Sequence, residues 1–193
     1  MVKIAVFISG GGSNLQALID HHITNGEIAL VISSKESAYG LNRAREANIE
    51  ALCIKDQDEI LNKLKKEKID LIVLAGYLSI ISEDIIKEYE NRIINIHPSL
   101  IPSFCGKGYY GLRVHEAAFK RGVKVSGATV HFVNGVVDGG PIILQKAIDV
   151  SGAQDPEMMQ KMVLDVEHEI LPRAVELYCD NKLEIEDGRE VIK

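Results

Sequence analysis

Short apolar runs and amphipathic stretches alternate from the first residues of the chain. Lys3 to Ser9, Ile28 to Ser33, Ala51 to Ile54 and Asp70 to Ala75 read as strands. The last of these is as rich in Val, Ile and Leu as a strand covered on both faces should be. Asn14 to Thr24, Leu41 to Ala47 and Glu59 to Lys68 read as the intervening helices, the third charged and amphipathic. Ser82 to Glu90 reads as a fourth helix with a serine cap, and Arg92 to Asn95 as a buried fifth strand. This βα alternation predicts a parallel sheet with right-handed crossovers.

The pattern changes in the second half. Val114 to Arg121 is a short helix, and Val125 to Val133 and Pro141 to Val150 are longer strands joined by Asn134 to Gly140. A connection that short holds no helical crossover, so the two strands are expected to be antiparallel neighbours. Pro156 to Cys179 is the longest helical stretch, with a kink or break expected at Pro172. Leu183 to Ile185 and Val191 to Lys193 read as a small terminal hairpin. No repeat, low-complexity segment or linker interrupts the 193 residues. That length suits one domain, or two halves (1–100 and 101–193) sharing one sheet. The expected class is α/β: three layers around a mixed, mostly parallel sheet, Rossmann-like in its first half.

Composition narrows the function classes. The chain is 46% hydrophobic and 26% charged, with 22 basic against 28 acidic residues and a net charge of −6. That balance argues against a nucleic-acid or anionic-membrane surface. No run has the length of a transmembrane helix, and no charged-then-apolar leader precedes the first strand. Cys53, Cys105 and Cys179 are far apart and odd in number, which suggests a reduced, cytoplasmic protein. Small-molecule substrates are the expected partners, and the chain is expected to be a monomer or homodimer.

Three stretches carry chemistry. Ser9-Gly10-Gly11-Gly12-Ser13-Asn14 lies between the first strand and first helix. Its glycines let the backbone approach a ligand, and free N–H groups at a helix start favour an anion. No Gly-Lys-Ser/Thr follows, and Leu15 stands where a dinucleotide loop has its third glycine, so a phosphate monoester fits better. The second stretch is Asn95-Ile96-His97-Pro98-Ser99-Leu100-Ile101-Pro102. Residues two apart on a strand point the same way, so Asn95 and His97 converge on one spot. A neutral donor and a titratable donor aimed at one oxygen are the equipment of an oxyanion site. The Ile101–Pro102 peptide is expected to be cis, because the chain must turn sharply there.

The third stretch, Asp138-Gly139-Gly140, is explained equally by turn chemistry and by a carboxylate that reaches His97 and raises its pKa. Among the other histidines, His131 is the best rival catalyst. His21 and His22 read as solvated, and His115 as a surface residue. No set of residues has zinc spacing, so no metal is expected, and Lys63 to Lys68 reads as a solvated helix face.

Several of these stretches resemble the phosphoribosylglycinamide formyltransferases, folate-dependent enzymes of purine synthesis. The resemblance runs through Ile4 to Ala17, Asn95 to Pro102, Gly127 to Val133, Val137 to Gln145 and Glu167 to Pro172. It covers nearly the whole chain, and the first motif is specific to this member of the folate formyltransferases. It implies a seven-stranded sheet with one antiparallel strand, carrying a phosphate-binding half (1–100) and a folate and catalytic half (101–193). It further implies that Gly11, Gly12, Ser13 and Asn14 hold the phosphate of glycinamide ribonucleotide, with Glu167 near the glycyl amine. Leu78, Ser79, Ile80 and Ile81 would hold 10-formyltetrahydrofolate, largely through backbone groups, with Asn95 and the Asn134 to Asp138 loop closing the pocket. Asn95 and protonated His97 would stabilise the tetrahedral oxyanion, with Asp138 keeping His97 charged and relaying a proton.

The chain departs from the pattern in places. Ser79 stands where many relatives carry arginine, and the segment from Lys55 to Ile60 is shorter and lacks their folate-facing arginine. Lys55 or Gln57 is the available substitute. Phe104 to Leu112 is unusually glycine-rich and is expected to be mobile. Rival readings share parts of the pattern. Methionyl-tRNA formyltransferase would need a basic C-terminal domain, and formyltetrahydrofolate deformylase usually adds an N-terminal regulatory one. A non-catalytic nucleotide-binding module has no reason to hold Asn95, His97 and Asp138 together.

Overall fold

The computed structural model describes residues 1–186 and 189–192. Seven strands form one sheet: β1 (Val2–Ile8), β2 (Gly26–Ser33), β3 (Glu50–Cys53), β4 (Leu71–Leu74), β5 (Ile93–His97), β6 (Val125–Phe132) and β7 (Ile142–Asp149). Their order is β3-β2-β1-β4-β5-β6-β7. All pairs from β3 across to β5 are parallel, whereas β6 is antiparallel to both its neighbours. The connection after β6 is too short for a crossover helix, as the sequence pattern requires.

Alternation along β1 sorts the two cores. Ile4, Val6 and Ile8 pack on one face with α1 (Ser13–His21), α2 (Gly40–Glu46) and α6 (Pro156–Cys179). Ala5 and Phe7 pack on the other with α3 (Gln57–Glu67) and α4 (Glu83–Glu88). Every side chain of β4 is buried, the pattern of a strand covered on both faces. The remaining helix, α5 (Leu112–Arg121), packs with α6 and the end of β7 through Ala118, Met159 and Val150.

Local signals explain most boundaries. Asp56 caps α3 by accepting the Glu59 N–H at 2.8 Å, and Ser82 caps α4 by accepting the Ile85 N–H at 3.3 Å. Asp155 caps α6 through the Met158 N–H at 2.7 Å, with Pro156 in the first turn. In the Lys63 to Lys68 run the apolar Leu64 is buried, while Lys63 bonds Glu50 and Glu67 at the surface.

Of the kink or break expected at Pro172, the break is absent. α6 runs from Pro156 to Cys179 without a break at Pro172. Proline removes one helical hydrogen bond, but Leu171, Pro172, Ala174 and Val175 are all buried, and packing along that face holds the helix together. The terminal hairpin forms from β8 (Leu183–Glu186) and β9 (Arg189–Ile192), with Lys193 outside the described residues. Among the described residues no helix is long and apolar enough to cross a membrane.

Candidate active site

The polar residues of β5 sit where its apolar alternation leaves them. Ile94 and Ile96 enter the α1/α6 core and Ile93 the α3/α4 core, so Asn95 and His97 share the face of Ile93. β6 places His131 opposite Asn95 and Thr129 opposite His97. Asn95 Nδ2 lies 3.1 Å from His131 Nε2. His131 Nδ1 lies 2.7 Å from the Phe132 carbonyl oxygen. In the neutral ring the proton therefore sits on Nδ1, and Nε2 accepts from Asn95.

Asp138 arrives on the loop between β6 and β7. Asn134 shapes that loop, accepting the Val136 N–H at 2.9 Å on its side-chain oxygen in an Asx turn. Gly140 lies against the end of β6, where a Cβ would sit 1.9 Å from the Phe132 carbonyl oxygen. The loop so folded brings the Asp138 carboxylate within 3.6 Å of His97 Nδ1 and 3.6 Å of His131 Nε2. Its Oδ2 also accepts the Gly106 N–H at 2.8 Å. On its far side His97 Nε2 donates to the Phe104 carbonyl at 3.0 Å. Asn95, His97 and Asp138 therefore meet, with His131 bridging the first and third. The Ile101–Pro102 peptide that turns the chain beside them is cis, as expected. Thr129 Oγ1 accepts the Ile101 N–H at 3.1 Å and donates to Ser99 O at 2.7 Å.

The glycine loop after β1 leads into α1 with no side-chain cap, and Gly12 takes φ +72°. The first backbone N–H groups of α1 thus keep no side-chain acceptor, which suits an anion. A Cβ on Gly12 would meet Gly40 Cα at 2.6 Å, so the loop rests directly on the start of α2. From α2, Arg43 donates to Gly11 O at 2.9 Å and to Gln16 Oε1 at 3.1 Å. An open cavity of about 550 Å³ beside the loop is lined by Ser13, Gln16, Arg43 and His168, among others. Asn14 turns away from the loop: its Nδ2 donates to buried Glu167 on α6 at 2.7 Å.

Leu78, Ser79 and Ile80 are exposed on the loop between β4 and α4, Ile80 at 89%, whereas Ile81 is buried. Two side chains from elsewhere in the fold accept backbone N–H groups of the loop. Leu78 N–H donates to Ser9 Oγ at 2.8 Å and Ser82 N–H to Gln57 Oε1 at 3.0 Å. Gln57 therefore anchors the loop through its side-chain oxygen.

Comparisons with known proteins identify the family. Residues 2–175 match the family described as Formyl transferase. The chain belongs to that family. It is 36% identical over 97% of its length to phosphoribosylglycinamide formyltransferase of Escherichia coli, covering 92% of that protein. The solved phosphoribosylglycinamide formyltransferase of Anaplasma phagocytophilum superposes with a TM-score of 0.93 at 36% identity, covering 100% of this chain and 94% of that one. A formyltetrahydrofolate deformylase from Pseudomonas syringae superposes with a TM-score of 0.88 at 28% identity, covering 99% of this chain and 65% of that one.

Electrostatics in this formyl transferase fold correct two expectations. Burial, the largest influence, sets the His97 imidazole below its ordinary value of 6.5 and outweighs the opposing pull of Asp138 and the Phe104 carbonyl. Asp138 does raise it, but at 3.6 Å, beyond hydrogen-bond range, its Coulomb attraction and the Phe104 carbonyl together fall short of desolvation. Burial also pushes Asp138 upward, but His131, His97 and the Gly106 N–H together hold it below the usual carboxylate range. His115 is not at the surface: it is 1% exposed, and burial followed by the neighbouring His97 drives its pKa to about 4. Burial raises the Glu167 carboxyl to about 7, against the lowering effect of Asn14.

Sequence alone did not place two residues of the site. Arg43 lies one helical turn beyond Gly40, and no local spacing ties it to the glycine loop. His131 stands out in sequence as the best rival catalyst, but which face of the strand it takes depends on register. Among the described residues no group of three or more His, Cys, Asp or Glu could hold a metal ion.

Proposed function

We propose that this chain transfers the formyl group of 10-formyltetrahydrofolate to the amine of glycinamide ribonucleotide in purine synthesis, as a cytoplasmic enzyme. The observation that carries the reading is the convergence of Asn95, His97 and Asp138 in a fold that also presents an uncapped glycine loop. A nucleotide-binding module needs the loop and has no use for the trio. Gly11, Gly12 and Ser13 offer backbone groups to the substrate phosphate. Asn14 and Glu167 act as a buried pair behind the loop, towards the ribose and glycyl portion. The loop 76–82 and the loop bearing Asp138 receive the folate. In this reading 1–100 supplies the phosphate half and 101–193 the folate and catalytic half of one unit.

The reaction is a direct displacement. The substrate amine attacks the formyl carbon, a C–N bond forms, and the carbonyl oxygen becomes an oxyanion. Asn95 Nδ2 carries two hydrogens and gives one to His131 Nε2, so the second is free for that oxyanion. A negative charge growing beside the buried His97 ring raises its proton affinity. The imidazolium, its proton drawn from solvent and returned when the oxyanion collapses, thus becomes favourable as the tetrahedral intermediate forms, with Asp138 as its counter-charge. When the intermediate collapses, the bond to N10 of the folate breaks. The proton released by the amine reaches N10 through Asp138 and water.

The deciding assay follows folate turnover with and without glycinamide ribonucleotide. Turnover dependent on the amine, with formylated product, is expected. Formate release without the amine would instead establish the hydrolase chemistry named for the deformylase neighbour, and no turnover would leave a binding module.

A further inference from the structure

Ser9 ends the apolar run of β1 and begins the glycine loop, yet its hydroxyl serves neither a helix cap nor the loop backbone. The β1/β4 ladder continues past the strand, with Ala75 N–H donating to Phe7 O at 2.9 Å. One step further the ladder is completed by a side chain: Leu78 N–H donates to Ser9 Oγ at 2.8 Å. The Ser9 and Ser34 hydroxyls are 2.7 Å apart, and both residues are buried, at 5% and 8% exposure. Ser34 is itself tied to β1, its N–H donating to Ile8 O at 3.2 Å. A hydroxyl has one hydrogen and two lone pairs. Ser9 thus accepts from Leu78 and retains both a hydrogen and a second lone pair for Ser34. A buried chain of three groups runs from the end of β2, through the root of the glycine loop, to the exposed loop 76–82.

We propose that Ser9 is a positioning residue that ties the folate-facing loop to the root of the phosphate loop and fixes the loop conformation that receives the folate. This rests on the reading that loop 76–82 receives the folate. Gly76 takes φ +77° at the start of that loop, and Leu78 and Ile80 are exposed. Tyr77 and Ile81 pack into the α3/α4 core on either side, and the exposed stretch between them is held by its hydrogen-bond anchors. Ser82 N–H on Gln57 fixes one end, and Ser9 fixes the middle. Losing the Ser9 acceptor frees the loop beside Leu78 while leaving the catalytic trio untouched.

The test uses Ser9→Ala and Ser9→Cys in the full chain. Cysteine keeps the volume but offers a weak acceptor, so it guards against a cavity effect in the alanine variant. A third variant, Ser34→Ala, removes only the partner hydroxyl and keeps the acceptor for Leu78. Tetrahydrofolate affinity is read by calorimetry, and KM and kcat by formyl transfer. Both Ser9 variants are expected to weaken tetrahydrofolate binding and raise the folate KM by about 3–10-fold, the worth of one hydrogen bond. Their kcat and glycinamide ribonucleotide KM should change by less than about 2-fold on the same scale. Ser34→Ala should stay within about 2-fold of the parent in tetrahydrofolate affinity. A folded Ser9 variant with parental tetrahydrofolate affinity overturns the proposal, as does an equal fall in all kinetic parameters. Tetrahydrofolate binding by the parent without formyl transfer would fault the assigned reaction and leave this anchor standing. No tetrahydrofolate binding by the parent would overturn both.

Discussion

Glu167→Gln isolates the largest electrostatic cost within the proposed substrate site. The carboxyl is 7% exposed and has one hydrogen-bond donor, Asn14 Nδ2 at 2.7 Å. Burial raises it from 4.5 to about 7 on folding. At about 1.4 kcal/mol per pKa unit, ionising it in the folded chain costs about 3 kcal/mol. The sign follows from which state binds the proton more tightly. The folded chain does, so this group's contribution is fully present below pH 4.5 and is lost as pH rises through about 7. Glutamine keeps the shape and the acceptor for Asn14 but has no charge to desolvate. Melting temperatures of parent and Glu167→Gln should nearly coincide below pH 4.5, diverge as pH rises from 4.5 to about 7, and stay a constant distance apart above that. By pH 9 the variant should be more stable by about 3 kcal/mol, roughly 6–12 °C for a chain of this size. Taking the difference between the two proteins cancels every other titrating group. Parallel melting curves from pH 5 to 9 would refute the reasoning. A loss of glycinamide ribonucleotide affinity alongside the gain in stability is the expected functional cost.

Three further expectations follow from the same structure. Asn95→Ala, His97→Ala and Asp138→Ala should each lower turnover by at least about 10²-fold; near-normal rates in any one would remove that residue from the mechanism. Gly12→Ala should destabilise by about 1–3 kcal/mol and raise the ribonucleotide KM, because φ is +72° and the new Cβ meets Gly40 Cα at 2.6 Å; urea denaturation would show it. His115, with its pKa driven to about 4 from 6.5, contributes stability that is present above pH 6.5 and lost as pH falls through 4; acid denaturation followed by circular dichroism should be shallower for His115→Phe.

The corrections share one cause. His115 reads as a surface residue because Glu116 follows it on a short helix, yet α5 packs against α6 and buries that side. Pro172 reads as a kink or break because local rules see a missing hydrogen bond, and long-range packing keeps the helix unbroken. His97 reads as a charged imidazole because a carboxylate was expected close by. The fold does supply that carboxylate, 3.6 Å away and within a site dry enough that burial dominates.

What local pattern determined is everything that depends on neighbours along the chain. Val, Ile and Leu runs set the strands, Asp56, Ser82 and Asp155 set helix starts, and the short 134–140 connection made β6 and β7 antiparallel. Period two put Asn95 and His97 on one face before any fold was known. Tertiary structure alone decided which distant groups reach that face. The register of β6 against β5 aims His131 at Asn95. The close approach of Gly140 to Phe132 turns Asp138 back toward His97, and the close approach of Gly12 to Gly40 sets Arg43 under the glycine loop. Charge state was decided there too, because desolvation depends on the whole surrounding volume and not on any run of residues.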